Sequence, residues 1–422
     1  MTKRKTLLVT LDFPPLTGGV AEYYFQRVKK MDPEKIVVLV PSVIPAQAGI
    51  QHYGSWIPGQ ARNDIKIYHR KFFIFWFWPR WLPLIKHLFS VAKKEKIEAF
   101  WVGQVLPVGT AVWLFCKFYN FFKRRDPSTP PPADGSAQDD KKLTFFITCH
   151  GNDLLRAKSH PRKFRLAKRI LRDAELVEAN TAFTKNILMN DFNVPAEKIE
   201  IVYPENTLRR AMVDEKKVRE LRQKYNLGGK KVLLTVARLV KSKGIDTVIN
   251  TLSEIWKEVP NLVYLIVGDG PYFPELVRMS SELLRILPPN PPPDFATTKS
   301  LRAGLLIKEG SFPVILPFIS GGGPMEHRTE GVIFVGNVLH EDLPNYYALA
   351  DAFILTPHQT GIDTESFGLV YLEAAEFGLP IIAGDVGGAR EALANYDKTI
   401  LVDSENEKEI SNKVLEVLKA IK

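Results

Sequence analysis

Short runs of apolar, β-branched residues alternate with helical stretches along almost the whole chain. This alternation predicts parallel strands joined by crossover helices, which is the doubly wound α/β class. In the first half, the predicted strands are Thr6–Leu11, Ile36–Val40, Ala99–Val102, Phe145–Thr148 and Leu176–Ala179. In the second half, they are Lys231–Ala237, Leu262–Val267, Val332–Val335, Ala352–Leu355, Pro380–Ala383 and Ile400–Val402.

The length of 422 residues predicts two domains, because a single core of this size is uncommon. The stretch 205–230 is polar and charged, and it is closed by Gly228 and Gly229. We therefore predict an N-terminal domain over 1–204, a hinge over 205–230 and a C-terminal domain over 231–422. Two such domains imply a cleft between them.

Three segments interrupt the alternation, at about residues 42–64, 126–142 and 286–330. All three are rich in Pro, Gly, Ser or Asn, and their flanking residues join into continuous elements when the segments are removed. We interpret them as surface insertions with little order of their own, and the alternative is a set of functional lids. Within the first, Val43–Ile50 and Trp56–Asp64 resemble translated palindromic repeats of some bacterial genomes.

The formal net charge of the chain is +10 at pH 7. This balance favours an anionic partner such as phosphates, nucleic acid or an acidic membrane surface. Nucleic acid is disfavoured, because no basic helix interleaved with stacking aromatic residues forms a recognisable reader fold. Cys116 and Cys149 suggest neither a disulfide framework nor a metal site, so we expect buried thiols in a reducing cytosol and no bound metal.

The hydrophobic segments predict no membrane span. The apolar run after Lys3–Lys5 is a first strand, too short for a signal peptide, and Trp101–Phe122 is interrupted by polar residues, which favours a strand followed by a buried helix. Lys71–Lys86 places aromatic residues between cations, which suits either an anionic bilayer surface or core packing. The expected location is the cytoplasm. If Lys71–Lys86 binds a bilayer, we also expect peripheral contact at the inner face of the plasma membrane.

A glycine pair follows the first predicted strand, in the motif FPPLTGGVA. Gly18 and Gly19 allow backbone amides to approach a phosphate at the N-terminus of the next helix, where the helix dipole favours an anion. The sequence lacks the GxGxxG dinucleotide pattern, and an ordinary tight turn explains the pair equally well.

A basic turn follows the first strand of the second half, in the motif ARLVKSKG. Arg238 offers a planar fork of donors and Lys243 a mobile charge, and both follow the C-terminal end of a strand. Together they predict a diphosphate site, with a solvated basic turn as the alternative.

The motif ESFGLVYLE begins with Glu365 and ends with Glu373. We expect Glu365 in a loop near the cleft and Glu373 about two turns along the following helix, where it can accept hydrogen bonds from a pair of hydroxyls. The amides of Phe367, Gly368 and Leu369 at the helix start can bind phosphate oxygens. The alternative is a capping acid followed by a solvated helix residue.

Together, these motifs resemble the donor half of retaining GT-B glycosyltransferases, and more narrowly their family four, the glycosyl transferases group 1. The resemblance is carried by RLVKSKG, VGDGP at Val267–Pro271, ESFGLVYLE and DVGG at Asp385–Gly388, in this order. In the N-terminal half, GGVA, LPVG at Leu106–Gly109 and HGND at His150–Asp153 are similar to phosphatidylinositol mannosyltransferase-like members. The resemblance covers both domains except the three insertions.

The resemblance implies the GT-B fold, with two Rossmann-like domains facing across a cleft, and it implies roles for the matching residues in donor binding. Arg238 and Lys243 would bind the diphosphate of the donor, and Glu373 its ribose hydroxyls. Glu365 and the amides that follow it would hold the donor sugar.

The resemblance also implies roles in the N-terminal domain. His150 would lie across the cleft near the reacting sugar, and Gly19 would meet the phosphates or the acceptor. His150 and Glu365 are therefore the candidate catalytic residues. Without the resemblance, the alternative for His150 is a histidine of the core or of a strand end.

Two features depart from the family. Pro204–Leu208 reads PENTL where the family usually has PNGVD. The sequence ends directly after an amphipathic helix predicted over about Glu407–Ile421, whereas family members continue into a segment whose last helix crosses back onto the N-terminal domain. The first departure leaves open the contact of this loop with donor or acceptor, and the second leaves open the docking between the domains and the level of activity.

The sequence thus predicts an enzyme that moves a hexose (mannose, glucose or N-acetylglucosamine) from a nucleoside diphosphate sugar to a lipid-linked or glycan acceptor. The resemblance implies retention at the anomeric carbon. The nucleotide sugar is the co-substrate, and no other cofactor is expected. Two alternatives stay open: a nucleotide-sugar epimerase, and a catalytically impaired descendant that binds nucleotide sugars or membranes.

Overall fold

The computed structural model describes residues 4–14, 16, 18–42, 65–73, 79–123, 142–286, 327–329, 331–359 and 364–421. The chain divides into two units. The first comprises Met1–Glu205 and Gly361–Phe367, and the second comprises Asn206–Thr360 and Gly368–Lys422.

The first unit is built on a seven-stranded parallel sheet in the order β3-β2-β1-β4-β5-β6-β7. Its strands are β1 (Thr6–Val9), β2 (Ile36–Pro41), β3 (Lys66–Arg70), β4 (Ala99–Val102), β5 (Thr144–Cys149), β6 (Val177–Ala179) and β7 (Ile199–Ile201). The chain extends from β1 towards β2 on one side and then returns to β4 on the other. A topological switch point therefore lies between β1 and β4, where open α/β sheets bind ligands at the carboxyl ends of their strands.

Helices cover both faces of this sheet: α1 (Gly19–Lys29), α2 (Leu82–Glu95), α3 (Val108–Lys123), α4 (Asn152–Lys158), α5 (Pro161–Asp173) and α6 (Ala182–Asn190). Successive side chains of a strand point to opposite faces. Leu8 accordingly packs in a cluster with Tyr24 and Val28 of α1, whereas Leu7 packs in a second cluster that includes Leu88 of α2. Burial of both faces explains why the central strands are apolar at nearly every position.

The second unit repeats this plan with the strand order β10-β11-β9-β8-β12-β13-β14. The strands are β8 (Lys231–Val236), β9 (Leu262–Val267), β10 (His327–Thr329), β11 (Val332–Gly336), β12 (Ala352–Leu355), β13 (Ile381–Gly384) and β14 (Thr399–Val402). Only the pairing of β10 with β11 is antiparallel among the described strands. The switch point lies between β8 and β12.

The helices of the second unit are α7 (Glu215–Lys224), α8 (Ile245–Glu258), α9 (Phe273–Ile286), α10 (Leu343–Tyr347), α11 (Leu369–Glu376), α12 (Ala389–Ala392) and α13 (Glu407–Ala420). The predicted C-terminal amphipathic helix is α13. Its Ile410 and Val414 are buried in the same cluster as Val248 and Leu252 of α8. This helix is therefore part of the core of the second unit.

Every strand that the alternation predicts is present, with ends that differ by at most two residues. The described strands that the sequence reading missed are β3, β7 and β10, which lie at sheet edges. Their sequences, KIYHR, IEI and HRT, are short and carry charged residues. Edge strands are protected from further pairing by such residues, so they lack the apolar run that reveals a central strand.

Residues 206–230, which make up nearly all of the predicted hinge, lie in the second unit. The side chain of Asp214 caps α7 by accepting hydrogen bonds from two backbone amides of its first turn. Leu208, Val218 and Leu227 are buried in the core of that unit. A few well-spaced apolar residues are thus enough to anchor a segment that is otherwise polar.

The predicted insertions at 42–64, 126–142 and 286–330 lie almost wholly outside the described residues. Apart from single residues at their ends, the structure describes only β10 within them, and β10 is an ordered edge strand.

The two cysteines are free and buried, as predicted. Burial raises the pKa of both Cys116 and Cys149, which keeps them as thiols. Trp101–Phe122 contains the end of β4 and most of α3, as predicted. Among the helices of the described ranges, none is long and apolar enough to cross a bilayer.

The described aromatic residues of the segment Lys71–Lys86 pack inward, although Leu82 is 43% exposed. Phe72 is 1% exposed, and Phe73 and Trp81 pack against the first core. Residues 74–78 lie outside the described residues. For the described part, the core-packing alternative of the sequence reading is the better one.

Candidate functional site

The basic turn of the second unit lies at its switch point. Ala237, the residue after β8, donates a backbone hydrogen bond of 3.0 Å to Val267, and Arg238 follows with an exposed side chain. Lys241–Lys243 form one 3-10 turn before α8 begins. Arg238 and Lys243 therefore follow the carboxyl end of a strand beside the switch point, which is where open α/β sheets bind ligands.

Gly244 closes this turn against the loop that follows β12. Its φ is 66°, and an added Cβ would lie 1.8 Å from the carbonyl oxygen of Thr356. The Thr356 hydroxyl donates to the Gly244 carbonyl at 3.1 Å, and the His358 amide donates to the Ser242 carbonyl at 3.0 Å. Only glycine fits here, so the loops on the two sides of the switch point are held together by backbone contact.

The VGDGP motif supports the same turn from the side of β9. A Cβ at Gly268 would lie 1.9 Å from the Ala237 carbonyl oxygen, and one at Gly270 would lie 2.3 Å from that of Leu239. The amide of Leu239 donates to the carbonyl of Asp269 at 2.9 Å. The two motifs therefore occur together because their backbones pack in contact.

Glu373 lies on α11 and is only 4% exposed. The buried hydroxyl of Tyr347 donates to its Oε2 atom at 2.6 Å. Burial, and secondarily the carboxylate beside it, raises the pKa of Tyr347 well above its usual range, so this hydroxyl keeps its proton. The alternative of a solvated helix residue is wrong, because Glu373 is a fixed, buried carboxylate.

The start of α11 offers backbone donors. Gly368, with a φ of 81°, precedes the helix, and no side chain caps it. The first amides of a helix lack partners within the helix, so those of Leu369 and Val370 can meet an anion, whereas the amide of Tyr371 already donates to the Gly368 carbonyl at 2.9 Å. Of the three predicted amides, that of the buried Phe367 belongs to the first unit, and those of Gly368 and Leu369 belong to the second.

The PENTL loop is anchored to α11, although it departs from the family pattern. The side chain of Asn206 donates to the Leu372 carbonyl at 3.1 Å and accepts from the Leu208 amide at 2.9 Å. This contact was not predicted, since nothing in the local sequence indicates which helix the loop meets.

In the first unit, Gly18 and Gly19 lie at the switch point between β1 and β4. Both are exposed, and an added Cβ on either would meet no atom within 4 Å. Gly18 has a φ of 132° and immediately precedes α1. The open space in front of the α1 N-terminus is compatible with the predicted approach of an anion.

Gln104 is a residue of this switch point that the sequence reading missed. Its side chain accepts from the Leu11 amide at 3.0 Å and donates to Asp12 Oδ2 at 2.8 Å and to Thr10 Oγ1 at 3.0 Å. It therefore ties the loop after β4 to the loop after β1. The available signal was an amide side chain two residues after a buried strand, in AFWVGQ.

His150 follows β5, next to the same switch point. Its Nε2 atom lies 2.7 Å from the Tyr24 hydroxyl, and its ring meets the rings of Tyr23 and Tyr24 edge to face. Burial, helped by the Arg27 guanidinium, lowers the pKa of His150 to about 3. The imidazole is therefore neutral at physiological pH.

The loop that carries Glu365 lies against the residues that follow His150. The Asn152 side chain donates to the Thr364 carbonyl at 2.9 Å and accepts from the Thr364 amide at 3.0 Å. A Cβ on Gly151 would lie 3.1 Å from Ser366 Oγ. The segments that hold the two catalytic candidates, His150 and the buried Glu365, thus meet within the first unit.

Asp153 holds the backbone at His150. Its Oδ1 atom accepts from the His150 amide at 3.1 Å, and its Oδ2 atom is buried with no hydrogen-bond partner among the described residues. Burial raises the pKa of Asp153 to about 6. Sequence reasoning gave no role to this group, which titrates near neutrality.

Comparison with known families matches residues 217–285 and 325–421 to the family described as glycosyl transferases group 1. The second unit is a glycosyl transferases group 1 domain, and the chain is a glycosyltransferase. The predicted enzyme class is thereby confirmed, and the two parallel-sheet units described above confirm the predicted α/β fold class.

Two curated relatives are similar in sequence to this glycosyltransferase over most of its length. The GDP-mannose-dependent alpha-(1-6)-phosphatidylinositol monomannoside mannosyltransferase of Mycolicibacterium smegmatis is 26% identical over 416 residues, which cover 98% of this chain and 88% of the relative. The N-acetyl-alpha-D-glucosaminyl L-malate synthase of Bacillus anthracis is 20% identical, over 82% of this chain and 72% of the relative.

Solved structures support the GT-B fold of this glycosyltransferase. Anabaena HepE in complex with UDP-glucose superposes with a TM-score of 0.65 at 17% identity, over 98% of this chain and 90% of that one. The sucrose-phosphate synthase of Thermosynechococcus elongatus gives a TM-score of 0.64 at 16% identity, over 99% and 90%. The roles of the individual site residues stay predictions.

Proposed function

We propose that the enzyme transfers a hexose from a nucleoside diphosphate sugar to a lipid-linked or glycan acceptor, with retention at the anomeric carbon. The observation that carries this proposal is the switch point of the second unit, where Arg238 and Lys243 lie on one glycine-supported turn. In the same unit, α11 adds a helix N-terminus and the buried carboxylate of Glu373.

These groups suit the departure of a nucleoside diphosphate. As the bond from the anomeric carbon to the phosphate oxygen breaks, negative charge grows on the diphosphate. Arg238 and Lys243 supply positive charge and the first amides of α11 supply backbone donors, and all of them stabilise this negative charge. Glu373 accepts from the ribose hydroxyls, and Glu365, with the amides after it, holds the sugar.

In the first unit, His150 faces the reacting sugar as a neutral imidazole, while Gly18 and Gly19 leave room for phosphates or acceptor at the start of α1. The nucleotide sugar is the co-substrate, and the proposal needs no further cofactor or metal.

We propose GDP-mannose as the first donor to test and a glycolipid as the acceptor. The mycobacterial relative is GDP-mannose-dependent by name, whereas HepE was solved with UDP-glucose, so the nucleotide base must be measured. Calorimetric titration with GDP-mannose, UDP-glucose and UDP-N-acetylglucosamine should give one preferred donor. Equal absence of binding for all three would contradict the proposal.

The same samples separate the open alternatives. An epimerase would convert the bound donor to its epimer without any acceptor, which NMR of the sugar detects. A catalytically impaired descendant would bind the donor and form no product with any glycolipid. The proposed transferase binds the donor and releases the nucleoside diphosphate only when an acceptor is present.

The proposed lipid acceptor suggests peripheral contact with an anionic membrane, on a different surface from the segment that the sequence indicates. Phe89 on α2 and Phe118 and Phe122 on α3 are 55%, 58% and 66% exposed, and α2 packs beside α3. Lys93 on α2 and Lys123 on α3 add exposed cations. Exposed aromatic residues beside lysines are typical of surfaces that bind anionic headgroups.

Vesicle sedimentation tests this contact. The enzyme should bind vesicles with anionic lipid better than neutral vesicles, and added salt should weaken the binding. The double variant Phe118→Ser, Phe122→Ser should reduce it, whereas Met189→Ser on α6, another exposed apolar residue, should not. Equal sedimentation of all three proteins would place the membrane contact elsewhere.

A further inference from the structure

The hydroxyl of Tyr24 lies between two polar groups in the first unit. It is 2.7 Å from the carbonyl oxygen of Gly103, at the end of β4, and 2.7 Å from Nε2 of His150, at the end of β5. A carbonyl oxygen can only accept a hydrogen bond, and a phenol has a single proton to donate. The proton of Tyr24 therefore belongs to the bond with Gly103.

The assignment of that proton fixes the protonation of the histidine. Because the Tyr24 oxygen has no second proton, it can only accept from His150, so Nε2 must carry the hydrogen. In a neutral imidazole, one nitrogen is a donor and the other an acceptor. Among the described residues, no hydrogen bond reaches Nδ1 of His150.

We infer that Tyr24 is a positioning residue that holds His150 as the Nε2–H tautomer and leaves Nδ1 as a hydrogen-bond acceptor for the substrate. That Nδ1 meets the substrate rests on the proposed function; the tautomer itself does not. Tyr24 acts through His150 and is not itself a catalytic residue.

The surroundings of the pair favour this arrangement. Tyr24 is fully buried on α1, and burial raises the pKa of its hydroxyl well above the usual range, so the proton stays on the phenol. The rings of Tyr23 and Tyr24 pack on the imidazole, and Asp153 accepts from the backbone of His150. These contacts hold the ring in place.

Arg27 is the charged group that opposes protonation of the imidazole, because its positive charge lowers the pKa of His150 in addition to burial. Arg27 lies on the same helix as Tyr24, and its guanidinium is held by Glu178 of β6 at 2.6 Å and 2.8 Å. The carboxylate of Glu178 is therefore occupied by Arg27, and Asp153 contacts the backbone of His150. With Nδ1 of His150 as an acceptor, its hydrogen bond with the substrate is one that a substrate hydroxyl donates.

Nitrogen NMR of the enzyme labelled with ¹⁵N-histidine tests the tautomer directly, without any assay of activity. The signals of His150 are assigned by their loss in His150→Asn. We expect a protonated Nε2, an unprotonated Nδ1, and no titration between pH 8 and pH 5. A protonated Nδ1, or a titration near the ordinary histidine value of about 6.5, would overturn the inference.

Two tyrosine variants separate positioning from packing. Tyr24→Phe removes the acceptor for Nε2–H but keeps the ring, so the Nε2–H form should lose its dominance. Tyr23→Phe is the matched control, because its ring contacts the same imidazole while its hydroxyl bonds to Arg27. An unchanged His150 spectrum in folded Tyr24→Phe would overturn the inference.

Kinetics tests the acceptor role at Nδ1. The amide of Asn places its polar atoms near Nδ1 of histidine, and that of Gln places them near Nε2. His150→Asn should therefore keep about tenfold more kcat than His150→Gln, the fold-change of one hydrogen bond, while donor KM changes little in either. Equal or reversed values of kcat would reject Nδ1 as the substrate acceptor, even if the tautomer is as inferred.

Discussion

Tyr347 donates a 2.6 Å hydrogen bond to Glu373, and both side chains are buried in the second unit. A carboxylate held in this way keeps one orientation, so a ligand that it binds meets a fixed acceptor. A buried charge is costly unless it is hydrogen-bonded, which gives Tyr347 a clear structural role. The pair therefore links the core packing of the unit to its proposed ribose site.

We expect Glu373→Ala to weaken binding of the preferred nucleoside diphosphate by about 1.5–3 kcal/mol, the value of a hydrogen bond to a charged group. This corresponds to a roughly 10- to 150-fold higher Kd by calorimetry. Glu373→Gln preserves the shape and an acceptor for Tyr347, so its loss should be smaller. Glu376→Ala, at the exposed end of the same helix, is the control and should bind normally. Normal affinity in Glu373→Ala would remove the residue from the ribose site.

The double variant Arg238→Ala, Lys243→Ala should lose affinity for the nucleoside diphosphate while it binds the corresponding nucleoside almost as before. The reason is that both cations address the phosphates, where charge-assisted hydrogen bonds are strongest. Lys241→Ala lies on the same turn with an exposed side chain and serves as the control. If nucleoside and diphosphate lose affinity equally, the two residues only shape the turn.

Gly244→Ala should destabilise the second unit, because the new methyl group would collide with the Thr356 carbonyl at a backbone angle that favours glycine. The expected loss in free energy of unfolding is more than about 2 kcal/mol, as for overpacked sites under backbone strain. Gly228→Ala is the matched control, since no atom lies within 4 Å of its Cβ position. Equal urea midpoints for the two variants would show that the two loops do not touch as described.

The central strands could be predicted from the sequence because their apolar runs reflect burial on both faces of a sheet. The edge strand β3, KIYHR, could not be predicted, because its pairing with β2 produces no recognisable pattern of apolar residues. Arg238 and Lys243 could be placed at a sheet edge because they directly follow a predicted strand. The aromatic segment at 71–86 shows the limit of composition, since aromatic residues suit a core and a membrane equally and Phe72 is buried.

Contacts between distant segments were beyond the sequence. Tyr24 and His150 are 126 residues apart, and they meet only because α1 packs on the sheet face beside β4 and β5. Tyr347 and Glu373 meet in the same way, from α10 and α11. From the sequence alone, a tyrosine in a helix can be expected to pack in a core, but the partner of its hydroxyl cannot be predicted.

Asp153 should make stability depend on pH. Its folded-state pKa is raised from 3.8 to about 6, so its contribution is fully present below pH 4 and is lost as the pH rises through 6. The difference amounts to about 3 kcal/mol at 1.36 kcal/mol per pKa unit. Asp153→Asn retains an acceptor for the His150 amide and removes the charge. The variant should therefore gain stability over the parent at pH 7.5 but not at pH 4.

Urea unfolding at the two pH values measures this effect, and the lowered pKa of His150 cancels because parent and variant share it. Glu197→Gln, an exposed acid of the same unit, should show no such dependence. A gain for Asp153→Asn that is equal at both pH values would mean that the Asp153 carboxyl titrates normally.

The central claim is hexose transfer from a nucleoside diphosphate sugar. It is tested most directly by incubating the purified enzyme with its preferred donor and a bacterial glycolipid extract, and by following product and nucleoside diphosphate together. We expect one nucleoside diphosphate released per sugar transferred, a product with the anomeric configuration of the donor, and loss of both in Arg238→Ala, Lys243→Ala. Tight donor binding with no transferred sugar, or a product of inverted configuration, would contradict it.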